Sequence, residues 1–81
     1  MARVSAKSDS DGSLVKLGAA IIAARKAQRM SQESLADVAN IERAHVGRIE
    51  RGERNLTFLT LLRVAAALKL KPSDLLERSG L

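Results

Sequence analysis

The stretch Ser31–Thr57, SQESLADVANIERAHVGRIERGERNLT, decides how the rest of the chain is read. It opens on Ser31, whose hydroxyl suits the free N–H groups at a helix start, with Gln32 and Glu33 in the first turn. Leu35, Ala36 and Ala39 recur at helical spacing as an inward face, and Ala36 is small enough to let another helix approach. Asn40 then stands where a helix ends in a left-handed residue, and Ile41 follows as a core plug. A second short helix is predicted from Arg43 to Arg51, with Glu42 a poor cap. Its apolar positions are only Val46 and Ile49, so Arg43, Ala44, Gly47 and Arg48 are expected to face out. Gly52 ends it, and Glu53–Leu56 form a loop.

Upstream, Met1–Ser13 is small, polar and aperiodic, and reads as a flexible tail. Arg3 and Lys7 raise the alternative of a basic arm along a DNA groove, which Asp9 and Asp11 oppose. The domain is placed at residues 14–81, its first helix running from Leu14, capped by Ser13, to about Gln28. Leu14, Leu17, Ile21 and Ala24 define its inward face, and Gly18, which costs about 1 kcal/mol relative to Ala, points to a helix crossing close by. Arg25 lies beside the apolar stripe and calls for a buried partner.

Downstream, Thr57 caps a helix from Phe58 to about Leu70 with Phe58, Leu61, Leu62, Ala65 and Leu68 at helical spacing. Lys71 and Pro72 mark a break, with Pro72 at the first position of a fifth helix and Asp74 in its first turn. Leu75, Leu76 and Leu81 leave apolar surface near the end that reads either as ordinary core closure or, the preferred reading, as a dimer seam, making this a C-terminal dimerisation helix.

Composition narrows the function. The 81 residues fit one small all-α domain, since Phe58 is the only aromatic and no stretch alternates as a strand does. With no cysteine and one histidine, a disulfide framework, a zinc finger and thiol catalysis are excluded, and no metal or cofactor is expected. The apolar run Leu14–Ala24 is broken by Lys16 and closed by Arg25 well short of the ~20 residues a membrane span needs, so a cytoplasmic protein without a membrane partner is expected. The net charge of +5 favours a polyanion. Arg43, Arg48, Arg51 and Arg54 concentrate that charge, with the side chain whose planar fork matches guanine edges and phosphates. There is no nucleophile–base set and no phosphate-cradling glycine loop, so an enzyme is not expected.

Two short helices joined by a turn of about three residues, the second basic and outward-facing, suit a major groove ~12 Å wide, the alternative being a plain helical bundle with a solvated basic face. The start of the earlier helix, with Gln32, offers N–H groups to a phosphate. Gly47, facing out, would let the backbone come close to DNA.

SQESLADVANIERAHVGRIERGERN resembles the helix-turn-helix of the Cro and phage-repressor type, the XRE family, over roughly Leu14 to Leu76. The S-Q-x-x-L-A pattern at Ser31–Ala36 and I-E-R-G at Ile49–Gly52 carry the likeness. Glu42-Arg43 and Arg54-Asn55-Leu56-Thr57 further resemble the small controller proteins of restriction-modification systems. The resemblance implies a five-helix, lambda-repressor-like, homodimeric domain that binds double-stranded DNA at a palindromic operator, with no small-molecule ligand. It implies base reading by Arg43, with Ala44, His45 and Gly47 in the same groove. Gln32, Arg48, Arg51, Arg54 and Asn55 match positions at the phosphate backbone, and Arg25 matches an arginine that pairs with the glutamate of I-E-R-G, here Glu50. Ala44 and His45 depart from the Thr and Tyr common in controllers, and His45 stays open between a neutral side chain and a donor to DNA. Val38 replaces a usual polar residue. Alternatives are an antitoxin, whose main task is to neutralise a partner protein, and a phage-type repressor.

Overall fold

How each helix is closed at its ends sets the architecture. The computed structural model describes residues 4–6 and 9–81, so Arg3 and Lys7 lie outside the described residues. Among the described residues are α1 (Ser13–Ala27), α2 (Gln32–Ala39), α3 (Arg43–Glu50), α4 (Phe58–Ala67) and α5 (Pro72–Arg78), with no strand. Past each helix one residue turns left-handed: Arg29, Asn40, Gly52, Lys69 and Gly80. The next amide then donates back across the last turn, as Met30 N does to Arg25 O (3.1 Å), Ile41 N to Ala36 O (3.0 Å) and Leu70 N to Ala65 O (2.9 Å). These bonds satisfy carbonyls the helix leaves free, and Met30, Ile41 and Leu70 pack against the core as each turn closes.

The N-terminal ends of α1, α2, α4 and α5 use side chains, whereas α3 begins at Glu42 without a side-chain cap, as a poor cap there implies. Ser31 Oγ accepts from Ser34 N at 2.9 Å and Thr57 Oγ1 from Thr60 N at 3.1 Å. Lys71 N donates to Asp74 Oδ2 at 3.2 Å, ahead of Pro72. The start of α1 departs from the expected Ser13 cap. Ser13 is already helical, and Asp9 takes the capping role, its two oxygens accepting from Ser13 N (2.9 Å) and Leu14 N (2.8 Å). One carboxylate satisfies two free donors and meets the positive end of the helix dipole, which a single hydroxyl does less well. Gly12, at φ 68°, makes the turn that lets Asp9 reach.

The core gathers Leu17, Ile21, Leu35, Val46, Ile49, Val64, Leu68 and Leu75 from all five helices. α3 packs on α1 and α2, while α4 and α5 close the other side against α2 and α1. Two expectations are corrected here. The inward stripe of α4 runs through Leu61, Val64, Ala65 and Leu68, and Phe58, one turn ahead of Leu61 at the helix's first position, projects past the core and is 70% exposed. Leu75 is fully buried in the monomer's own core, so it has no surface to offer a dimer seam. The reason is that α5 is short and lies across α1 and α4, where its one fully buried leucine is needed to close the core. No helix among the described residues is long and apolar enough to cross a membrane.

Gly18 is where α1 and α3 meet. A Cβ there would come within 2.8 Å of Ile49 O and closer still to Glu50 O, both backbone atoms that cannot step aside. The end of α3 therefore rests directly on bare α1 backbone. Gly18→Ala is expected to destabilise the fold by about 1–3 kcal/mol despite its better helix propensity. Urea unfolding measures this, and an unchanged midpoint would mean that the helices are not in contact there.

Candidate nucleic-acid interface

The site is built around one buried carboxylate. Glu50 ends α3 with its side chain 3% exposed, and three hydrogen bonds receive its charge. Arg25 of α1 donates through Nε to Oε2 (2.7 Å) and through Nη2 to Oε1 (3.1 Å), and Gln32 at the start of α2 donates through Nε2 to Oε1 (2.8 Å). The remaining Arg25 nitrogen, Nη1, donates to Met30 O at 3.0 Å. Removing one partner from a buried pair strands the other charge, which is why such pairs hold geometry firmly even where they add little net stability. Here the network fixes the end of α3 against both α1 and the α2 N-terminus, and so fixes how α3 is presented.

Gln32 occupies a place different from the one expected for a phosphate contact. Its amide nitrogen points inward to Glu50, leaving the first backbone N–H groups of α2 to face outward. On α3, Arg43, Ala44 and Arg48 are exposed and His45 is half-buried. Gly47 corrects the expectation of an open glycine: it is buried beneath the Arg51 side chain, whose Nη1 lies 3.2 Å from where a Gly47 Cβ would stand. The backbone is bare at this point, but a guanidinium covers it.

Arg51 itself is held by Glu53, Nε to Oε2 at 2.9 Å and Nη2 to Oε1 at 3.2 Å, both side chains more than half exposed. The hydrogen bond from Arg51 holds the Glu53 carboxyl below its ordinary range, and the same bond raises Arg51. A carboxyl with a depressed value keeps its pair at neutral pH and loses it as the pH falls through the lowered value. Arg54 is exposed, and Asn55 donates through Nδ2 to Val4 O (3.1 Å), so the chain ahead of α1 runs beside the arginine loop. Glu53 had no assigned part in the sequence reading. Its signal was present as a carboxylate two residues after Arg51, at a helix end where the other turns place an apolar residue.

Residues 21–75 match the helix-turn-helix family model. The chain is 42% identical over 57 residues to the control protein C.SmaI of Serratia marcescens, covering 70% of this chain and 68% of that one. The chain belongs to the helix-turn-helix family of restriction-modification controller proteins. The family likeness extends to solved structures. The controller C.AhdI of Aeromonas hydrophila superposes with a TM-score of 0.75 at 40% identity, over 76% of this chain and 94% of that one. The controller C.Esp1396I gives 0.77 at 31% identity, over 83% and 87%.

The Glu50 network yields a stability test. Glu50→Ala is expected to cost about 3–5 kcal/mol, because the Arg25 guanidinium stays in place with a single carbonyl partner. Chemical denaturation reads this directly, and a loss below 1 kcal/mol would show that Arg25 finds water instead.

Proposed function

We propose that this protein is a sequence-specific DNA-binding regulator of transcription, the autoregulatory controller of a restriction-modification operon. The observation that carries the reading is α3: an exposed Arg43–Ala44–Arg48 face on a helix whose end is locked by buried Glu50. A helix held in this way enters a major groove as a rigid reader, and the free N–H groups beginning α2 meet the flanking phosphate. Arg43, in the first turn of α3, reaches base edges, where its fork matches guanine O6 and N7. Ala44 and His45 line the same groove. Arg48, Arg51, Arg54 and Asn55 take the backbone, and Gly47 contributes by making room for Arg51.

One α3 reads only a half-site, so a palindromic operator calls for two copies with helices ~34 Å apart. The seam we propose is the exposed pair Phe58 and Leu59 at the start of α4, two large apolar side chains that the monomer leaves in water (70% and 66% exposed). Leu81, 54% exposed, remains available to a seam and Leu76 only in part, since it packs against the core.

Two experiments check this. Arg43→Ala should weaken the operator complex by ~1–3 kcal/mol and relax preference at one base pair, while Arg54→Ala should weaken all sequences alike and reduce the salt slope by about one counterion. Equal weakening of every sequence by Arg43→Ala would move Arg43 to the backbone. For the seam, sedimentation of a Phe58→Ser, Leu59→Ser variant should shift toward the 8.7 kDa monomer with the helical signal intact. A variant that still sediments as a dimer would place the seam elsewhere.

A further inference from the structure

The Arg51–Glu53 pair is placed with more constraint than a solvated surface requires. Arg51 lays its Nη1 edge against the bare backbone of Gly47, and its Nε/Nη2 edge is filled by both oxygens of Glu53. That filled edge is the one a phosphate would take, because carboxylate and phosphate oxygens offer the guanidinium fork the same paired acceptors. While Glu53 is in place, Arg51 is aimed at the interface but its charge is already answered.

The helix ends supply an independent observation. After α1, α2 and α4 the residue beyond the left-handed position is Met30, Ile41 or Leu70, each packed on the core. After α3 the same backbone bond, Glu53 N to Arg48 O at 2.9 Å, puts an exposed carboxylate there instead. Nor is its position left to the loop. Gly52, at φ 74°, sits so tightly on α1 that a Cβ would come within 2.9 Å of Val15 N and Cα. The fold thus delivers Glu53 to Arg51 through a fixed turn.

We propose that Glu53 is an internal stand-in for DNA phosphate, holding Arg51 across α3 in the free protein and yielding it only to a phosphate in register. The proposal rests on the DNA-binding reading and deepens it: Glu53 is a positioning residue for discrimination. A misplaced duplex offers no phosphate oriented to displace the carboxylate, so Arg51 stays answered and Glu53 adds repulsion. A correctly docked operator offers one, and Arg51 is released to it. The exposed pair biases this exchange by about two- to fivefold, the range of surface ion pairs, which keeps it reversible.

The test measures binding to operator and to unrelated duplex across a salt series for wild type, Glu53→Gln, Arg51→Gln and the double variant. Glu53→Gln should tighten unrelated duplex about two- to fivefold more than operator, and steepen the salt slope on unrelated duplex by about one counterion. Both effects should disappear in the Arg51→Gln background. If Glu53→Gln tightens both duplexes equally, and equally with or without Arg51, Glu53 acts only as a general negative charge and the proposal falls while DNA binding stands. If the wild type binds no duplex with salt dependence, the DNA-binding reading fails first and takes the proposal with it. A DNA-free measurement checks the hold itself: the Arg51 side-chain Nε–H resonance should move in Glu53→Gln. It should also move in Gly47→Ala, which displaces the guanidinium without removing a charge. A resonance unmoved by Glu53→Gln would overturn the proposal.

Discussion

A carboxylate buried to 3% exposure is tolerated only if its surroundings answer it fully, and in this protein the Glu50 oxygens are answered from two other helices. That requirement acts as a geometric constraint. Arg25 reaches Glu50 only if α1 crosses α3 closely, which Gly18 permits, and Gln32 reaches it only if α2 begins beside the end of α3. The angle between α2 and α3, on which the proposed groove reading depends, is therefore set by polar groups as well as by Leu35, Val46 and Ile49. Apolar packing tolerates small slides between helices, whereas three directional hydrogen bonds to one buried carboxylate do not.

The same constraint explains why the outer face of α3 can be so free of packing duties. Val46 and Ile49 are buried almost completely, and Glu50 locks the helix end. Arg43, Ala44 and Arg48 contribute nothing visible to the core, so their identities are open to selection for what they touch outside. Positions that hold the helix and positions that face outward from it are separate residues.

Much of the fold was legible because its signals are local. Ser31, Asn40, Thr57 and Pro72 act through their own backbone neighbourhoods, and each stands at the boundary where the sequence placed it. Arg29 and Lys69 were not legible as left-handed residues, since neither type favours that conformation; the packing of Met30 and Leu70 imposes it. Leu75 and Phe58 were misplaced for a related reason. Helical spacing says which residues share a face, but which face meets the core depends on where the other helices lie, and a helix's first residue can project beyond them. At the candidate site, the Arg43 and Arg48 side chains face outward as the pattern required. Gly47 looked open because a sequence cannot show that Arg51, one turn on, folds back over it.

The contact between Gly52 and the first turn of α1 links parts of the chain that would otherwise behave separately. That first turn is secured by Asp9, whose two oxygens hold Ser13 N and Leu14 N, and Val15 beside them is what Gly52 rests on. If the Asp9 cap loosens, the surface beneath Gly52 frays and the turn that carries Glu53 loses its support. The arginine loop thus inherits its rigidity from a carboxylate more than forty positions earlier. Residues ahead of the first helix thereby bear on how firmly the turn carrying Glu53 is held against Arg51.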